Sequence, residues 1–172
     1  MIGTGETRLR LRDLINMKMN ENIRTVLKTD IDKLKTVVDS CELFPSEFLD
    51  EMISDYLNNA DSEEIWFTYI ENKTPTAIGY CVPEKLTEGT YNLLAIGVLK
   101  EWQGKGIASE MMKYIELLLK QKGGRILIVE TSSDDAQIAA RNFYKKIGYS
   151  QEAVIRDFWK DGEDKIVFWK RL

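Results

Sequence analysis

Gln103-Gly104-Lys105-Gly106 lies between an apolar run ending at Leu99 and a long stretch of helical periodicity that begins at Ile107. A helix opening directly behind two glycines turns its free backbone N–H groups and the positive end of its dipole toward the loop, an arrangement suited to phosphate oxygens. The pattern predicts a docking place for a phosphorylated cofactor. The chain contains no histidine. Zinc sites of the His type, Ser-His-Asp triads and imidazole acid–base catalysis are therefore excluded, and proton transfer falls to Tyr, Glu, Asp, Lys, Cys or water.

The apolar run upstream of the loop, residues 93–99, reads as a strand buried on both faces, yet Gly97 interrupts it. Glycine within a strand often marks a bulge or the close approach of another backbone or a ligand. A bulge at this point would splay the strand from its neighbour and leave N–H and C=O groups free to pair with a ligand that itself carries amides.

The elements around this unit follow from periodicity. Residues 22–28 alternate like a half-buried strand. A helix from Asp30 carries Ile31, Leu34, Val37 and Val38 on one stripe, and a second opens at Ser46. Strands over residues 65–70 and 76–82 form a hairpin with a loop of about five residues. After the helix at Ile107 comes a Gly123-Gly124 stop, then a buried strand over 125–130, reached by a short link and so parallel to the central one. A helix over 136–147 and two strands, 151–158 and 165–170 around Asp161-Gly162, complete the chain. One mixed sheet covered by helices on both faces accommodates this order.

At 172 residues and 44% hydrophobic, the chain is expected to form one domain over residues 21–172, preceded by an extension over 1–20. The two cysteines, Cys41 and Cys81, show no metal or redox spacing and read as reduced residues of a cytoplasmic protein; no metal is expected. No run of signal-peptide or membrane-spanning length is present. A net charge of −4 argues against nucleic acid as a partner and tolerates a cationic or amine-bearing small molecule.

Two stretches together resemble a known family. Gln103-Gly104-Lys105-Gly106-Ile107-Ala108 is similar to the acyl-CoA signature, Gln/Arg-x-x-Gly-x-Gly/Ala, of the GNAT superfamily of N-acyltransferases. Ala140-Arg141-Asn142-Phe143-Tyr144-Lys145-Lys146-Ile147-Gly148-Tyr149 is similar to its second motif. Both occur in the family's order on the predicted elements, and the element order matches from about residue 22 to the end. The resemblance implies an α/β protein with a three-layer α-β-α fold. Its central mixed, mostly antiparallel sheet would have six to seven strands, one of them bulged and splayed.

The function implied is N-acetyl transfer from acetyl-CoA to a primary amine of a small molecule or peptide, by direct attack within a ternary complex. Residues Gln103 to Ala108, with Lys105 and Ile107 among them, would take the pyrophosphate. The backbone at Ile96, Gly97 and Val98 would pair with the pantetheine arm as an added strand, beside Asn142. Tyr144 would protonate the departing thiolate and the Val98 N–H would face the developing oxyanion. Relatives that use a glutamate in the central strand have Asn92, Leu94 or Ile96 here. Glu84 and Glu130 are then the nearest carboxylate candidates for the base, with a water chain as the alternative. The resemblance leaves room for a homodimer.

Two other readings remain at this point. The same fold could serve as a non-catalytic acyl-CoA sensor or interaction module. The loop also approaches the dinucleotide fingerprint G-x-G-x-x-G/A of oxidoreductases, with Glu130 where a ribose-binding acid would stand. Against that, five residues separate Val98 from Gly104 and Ser109 occupies the third small position.

Overall fold

The structure, a computed structural model, describes residues 20–172, so the expected extension over 1–20 lies, but for Asn20, outside the described residues. Apolar alternation puts seven strands into one sheet, in the order β1-β2-β3-β4-β5-β7-β6. These are β1 (Ile23–Thr25), β2 (Ile65–Glu71), β3 (Thr74–Pro83), β4 (Thr90–Val98), β5 (Ile126–Ser132), β6 (Ser150–Lys160) and β7 (Glu163–Arg171). Every neighbouring pair is antiparallel except β4 and β5, which run parallel. The helices are α1 (Ile31–Ser40), the short α2 (Leu49–Met52) and α3 (Ser54–Asn58), the long α4 (Ile107–Gln121), and α5 (Ile138–Lys146).

Strand alternation divides the core in two. Trp66, Ile78, Tyr80 and Leu99 face α1 to α3 and pack on Leu34, Val37, Val38, Leu49 and Ile53. Phe67, Ala77, Leu93, Leu127 and Val129 face the other way, onto Met111, Ile115 and Leu119 of α4 and Tyr144 of α5. The expected mixed, mostly antiparallel sheet between two helical layers is the observed fold.

Three local expectations are corrected. The helix opening at Ser46 is broken into a single 3₁₀ turn followed by α2 and α3. The β2–β3 connection is a two-residue turn rather than a loop of five. Glu71 pairs with Thr74, and Asn72 and Lys73 take φ values of 49° and 64°, the left-handed pair that matches the twist of a hairpin. Pro75 lies inside β3 at a register shift, where its missing N–H is tolerated.

The third correction concerns the bulge. Tyr80 pairs with Ala95 and Cys81 with Leu93, so the extra residue in β4 is Leu94. Gly97 sits in regular register opposite Ile78. Its role is close approach: a Cβ there would stand 2.9 Å from Leu43 Cδ1 and 3.0 Å from Cys41 Sγ, in the segment that follows α1.

Candidate active site

The parallel ladder between β4 and β5 runs only from Thr90–Ile126 to Leu93–Val129. Beyond the Leu94 bulge the strands part, β4 continuing beside β3 and β5 beside β7. Leu99 N–H donates to Thr76 O at 2.9 Å, which fixes the antiparallel alternation. Residues 97 and 95 therefore bond toward β3, while the backbone groups of Ile96 and Val98 point into the space that β5 has left.

That space is a cavity of about 670 Å³. Its walls include Ile96, Gly97 and Val98 of β4, Thr131 and Ser132 of β5, and Ala140, Phe143 and Tyr144 of α5. The segment after α1 closes one side through Cys41 and Leu43, and Trp159 stands over another. The aromatic content of the last two strands suggests core or pocket wall for Trp159, whereas the wall contributed by Cys41 has no counterpart in the sequence, because that residue belongs to no local pattern that marks it.

At the mouth, Gly104 and Gly106 have φ of 75° and 85°, and a Cβ on either would meet nothing within 4 Å. Glycine is required here by backbone conformation, and its bareness leaves the first turn of α4 open. Gly106 caps that helix, and its carbonyl accepts the first helical bond, from Glu110 N–H at 3.1 Å. Ile107 is buried and anchors the helix start in the core, whereas Ala108 lines the cavity. The Lys105 ammonium lies 4.1 Å from the Trp102 ring centroid, exposed beside the loop. The Gln103 side chain turns inward, its Nε2 donating to Val98 O at 2.9 Å, so it ties the loop to the strand end. The Cys41 thiol donates to the same carbonyl at 3.2 Å.

Tyr144 is 5% exposed, within an aromatic group formed with Phe143, Tyr149 and Phe168. Burial pushes its phenol above the usual tyrosine range and keeps it protonated. Asn142, two positions earlier, is exposed and lies outside the cavity wall. Glu84 and Glu130 also lie outside that wall, but the fold brings them together. The Asn92 Nδ2 donates to Glu84 Oε1 at 2.8 Å and to Glu130 Oε1 at 3.4 Å, and Lys165 Nζ pairs with Glu130 Oε2 at 3.0 Å.

A bulged strand parting from its parallel neighbour above a glycine-capped helix corresponds to a known domain. The family model described as the acetyltransferase (GNAT) family matches residues 32–149, well over half of the chain. The chain belongs to the GNAT family of acetyltransferases. A GNAT-family protein of Desulfovibrio desulfuricans superposes with a TM-score of 0.81 at 27% identity, covering 87% of this chain and 97% of that one. An aminoglycoside 6′-N-acetyltransferase in complex with coenzyme A gives a TM-score of 0.72 at 16% identity, over 87% of this chain and 96% of its own.

Among curated relatives, an N-acetyltransferase of Methanocaldococcus jannaschii is 24% identical over 60% of this chain, and an N-alpha-acetyltransferase of Schizosaccharomyces pombe 26% identical over 40%. The matched regions span 65% and 45% of those relatives' lengths. Among the described residues, no helix is long and apolar enough to cross a membrane.

Proposed function

We propose that this GNAT protein transfers the acetyl group of acetyl-CoA to a primary amine. The observation that carries the proposal is the parting of β4 from β5, which points the Ile96 and Val98 backbone into a cavity with the Tyr144 side chain in its wall. The residues present suit acetyl-CoA. The bare Gly104-Lys105-Gly106 loop and the N–H groups at the start of α4 suit a diphosphate, and a free strand edge suits an arm that carries amides. Bound there, acetyl-CoA supplies an activated acyl group whose thiolate departs as the amine nitrogen bonds to the carbonyl carbon.

Within this reading the residues divide the remaining work. The Val98 N–H donates toward the carbonyl oxygen, where negative charge develops. Tyr144 holds its proton until sulfur needs it, and its buried ring keeps water from that side of the cavity. Gln103 and Cys41 both bond to Val98 O and so hold the orientation of the adjoining peptide. Asn142, exposed on α5, has no part in the cavity wall and is left out of the proposed machinery. The ammonium loses its proton to Glu130 or Glu84 on the opposite face of the sheet, directly or through water.

The test is a thiol-release assay with acetyl-CoA over a panel of amines, run beside a binding titration of coenzyme A. Amine-dependent thiol release is expected. Coenzyme A binding without turnover on any amine would replace the transferase with an acyl-CoA sensor, and tight NAD(P) binding in its place would point to the dinucleotide reading.

A further inference from the structure

The group formed by Glu84, Asn92 and Glu130 is short of donors. Asn92 is 4% exposed, and its Oδ1 is a buried polar atom with no hydrogen-bond partner among the described residues. Rotating the amide by half a turn offers no relief, since it would set the carbonyl oxygen against two carboxylates. Buried acceptors left unpaired are uncommon and costly. Because Oδ1 shares one planar amide with Nδ2, the unmet acceptor lies beside both Glu84 and Glu130. Lys165 answers one oxygen of Glu130, and the Asn92 amide is the one side-chain donor to Glu84 among the described residues.

The placement of this group matters as much as its chemistry. Alternation along β4 and β5 puts Leu93 and Val129 in the core beneath α4, so Asn92 and Glu130 project from the opposite face. Leu93–Val129 is the last rung before the strands part. The group therefore sits at the vertex of the gap, across the sheet from Thr131 and Tyr144. Glu84 opens the loop that leads to β4, in which Leu86 is fully exposed at φ 60°.

We infer that Glu84, Asn92 and Glu130 form the seat for the ammonium of the acceptor, and that they select a primary amine carrying no carboxylate on the neighbouring carbon. The inference rests on the acetyl-transfer reading and adds the acceptor's chemistry to it. A primary ammonium has three donors and no acceptor. It satisfies Asn92 Oδ1 and both carboxylates together and balances the excess negative charge that Lys165 leaves. A quaternary amine has the charge without the donors. A free α-amino acid brings a third carboxylate against Glu84 and Glu130 and is repelled.

The experiment follows the Asn92 side-chain NH₂ resonance by NMR during titration with 1,4-diaminobutane, with its fully N-methylated counterpart as control. A saturable shift with the diamine and none with the control is expected. In thiol-release kinetics, Glu84→Gln and Asn92→Leu should raise the diamine KM tenfold or more while acetyl-CoA affinity stays within twofold. Glu84→Gln, on a loop, keeps the test alive should Asn92→Leu fail to fold. A diamine, a tripeptide with a free N-terminus and a free α-amino acid complete the panel. The first two distinguish a small-molecule from a peptide source of the ammonium, and the third should fail.

Equal use of the free amino acid, an Asn92 resonance unmoved by diamine, or an unchanged KM in Glu84→Gln would overturn the seat while leaving acetyl transfer intact. Conversely, a diamine-dependent Asn92 shift in a protein that does not bind acetyl-CoA would overturn the transfer reading and leave the seat.

Discussion

The two halves of β4 lie in one strand and have opposite duties. Residues 91–93 lie between β3 on one side and β5 on the other, so this half is held on both edges by the sheet. Residues 95–98 keep β3 alone, and the groups of Ile96 and Val98 face the cavity. One extra residue, Leu94, separates the halves. It is 51% exposed although apolar, as expected for a bulge residue with no neighbouring strand to pack against. The comparison teaches that the site is made by withholding a partner strand. The closed half holds the fold, and in the open half Val98 O is answered by Gln103 and Cys41 while the Ile96 groups and the Val98 N–H have no strand partner on the cavity side.

Damage to the mouth of the open half should give the largest effect. Gly106→Asp forces a side chain onto a residue at φ 85° and sets a carboxylate where the phosphates are proposed to dock. A like-charge contact near a protein surface costs about 4 kcal/mol, roughly a thousandfold in affinity. Acetyl-CoA binding, measured by calorimetry, should be lost to that extent, while the thermal midpoint moves by only a few degrees. Binding that survives within tenfold would place the diphosphate elsewhere.

Next in size is Tyr144→Phe, which leaves the aromatic packing and removes the proton. Turnover should fall by about 10² to 10⁴ with acetyl-CoA affinity nearly unchanged. The pH dependence follows from the direction of the shift. The phenol's folded pKa is raised above its ordinary value of 10.0, so the proton stays on throughout neutral and mildly alkaline pH. The stability held by keeping this ring neutral is complete below pH 10 and is lost as pH rises beyond it. Wild-type turnover should therefore show no decline from this group below pH 10, and a loss centred near pH 8 would assign the proton to another residue.

The closed half should respond in stability instead. Leu93, 2% exposed on the last rung of the ladder, should cost about 2–5 kcal/mol as Leu93→Ala, with acetyl-CoA affinity retained at temperatures where the variant is folded. Chemical denaturation with and without acetyl-CoA separates the two effects. A large loss of affinity in the folded variant would mean that the halves are not independent.

The same contrast explains what could be read from the sequence. The unit from β4 through the glycines to α4 is local: its periodicity and turn chemistry lie within some thirty residues, and it was legible. The bulge was legible in kind but misplaced, because Gly97 looks like a weak point in a strand while the extra residue is an ordinary leucine. The broken helix after Ser46 was missed because the apolar stripe from Phe48 to Tyr56 persists across the break at Ile53. Glu116 shows how tertiary contacts override a helical pattern. Its spacing suggests a pair with Lys120, yet it bonds to Lys170 and to the Tyr149 hydroxyl, both at 2.9 Å. The resemblance points to Glu84 and Glu130 singly, but their meeting at Asn92 has no local signal, since it joins residues 8 and 38 positions apart through strand register.

The smallest expected effect tests whether the open half is shaped by its own conformation or by what leans on it. Gly104 and Gly97 both lie along the proposed cofactor path, but for different reasons. At Gly104 a Cβ meets empty space and the left-handed φ of 75° is the sole obstacle, so Gly104→Ala should cost about 1–2 kcal/mol in strain, without steric displacement. At Gly97 the backbone is ordinary and the obstacle is Leu43 and Cys41, at 2.9 and 3.0 Å from the added carbon. Gly97→Ala should cost about 1–3 kcal/mol by overpacking, and it relaxes by pushing the segment after α1 outward. That segment is a cavity wall, and Cys41 also helps hold Val98 O. Kinetics should therefore show Gly97→Ala altering the amine KM more than acetyl-CoA affinity, and Gly104→Ala doing the reverse. If both variants act alike on the two ligands, the segment after α1 is only a lid on the core, and the open half of β4 owes its shape to its backbone alone.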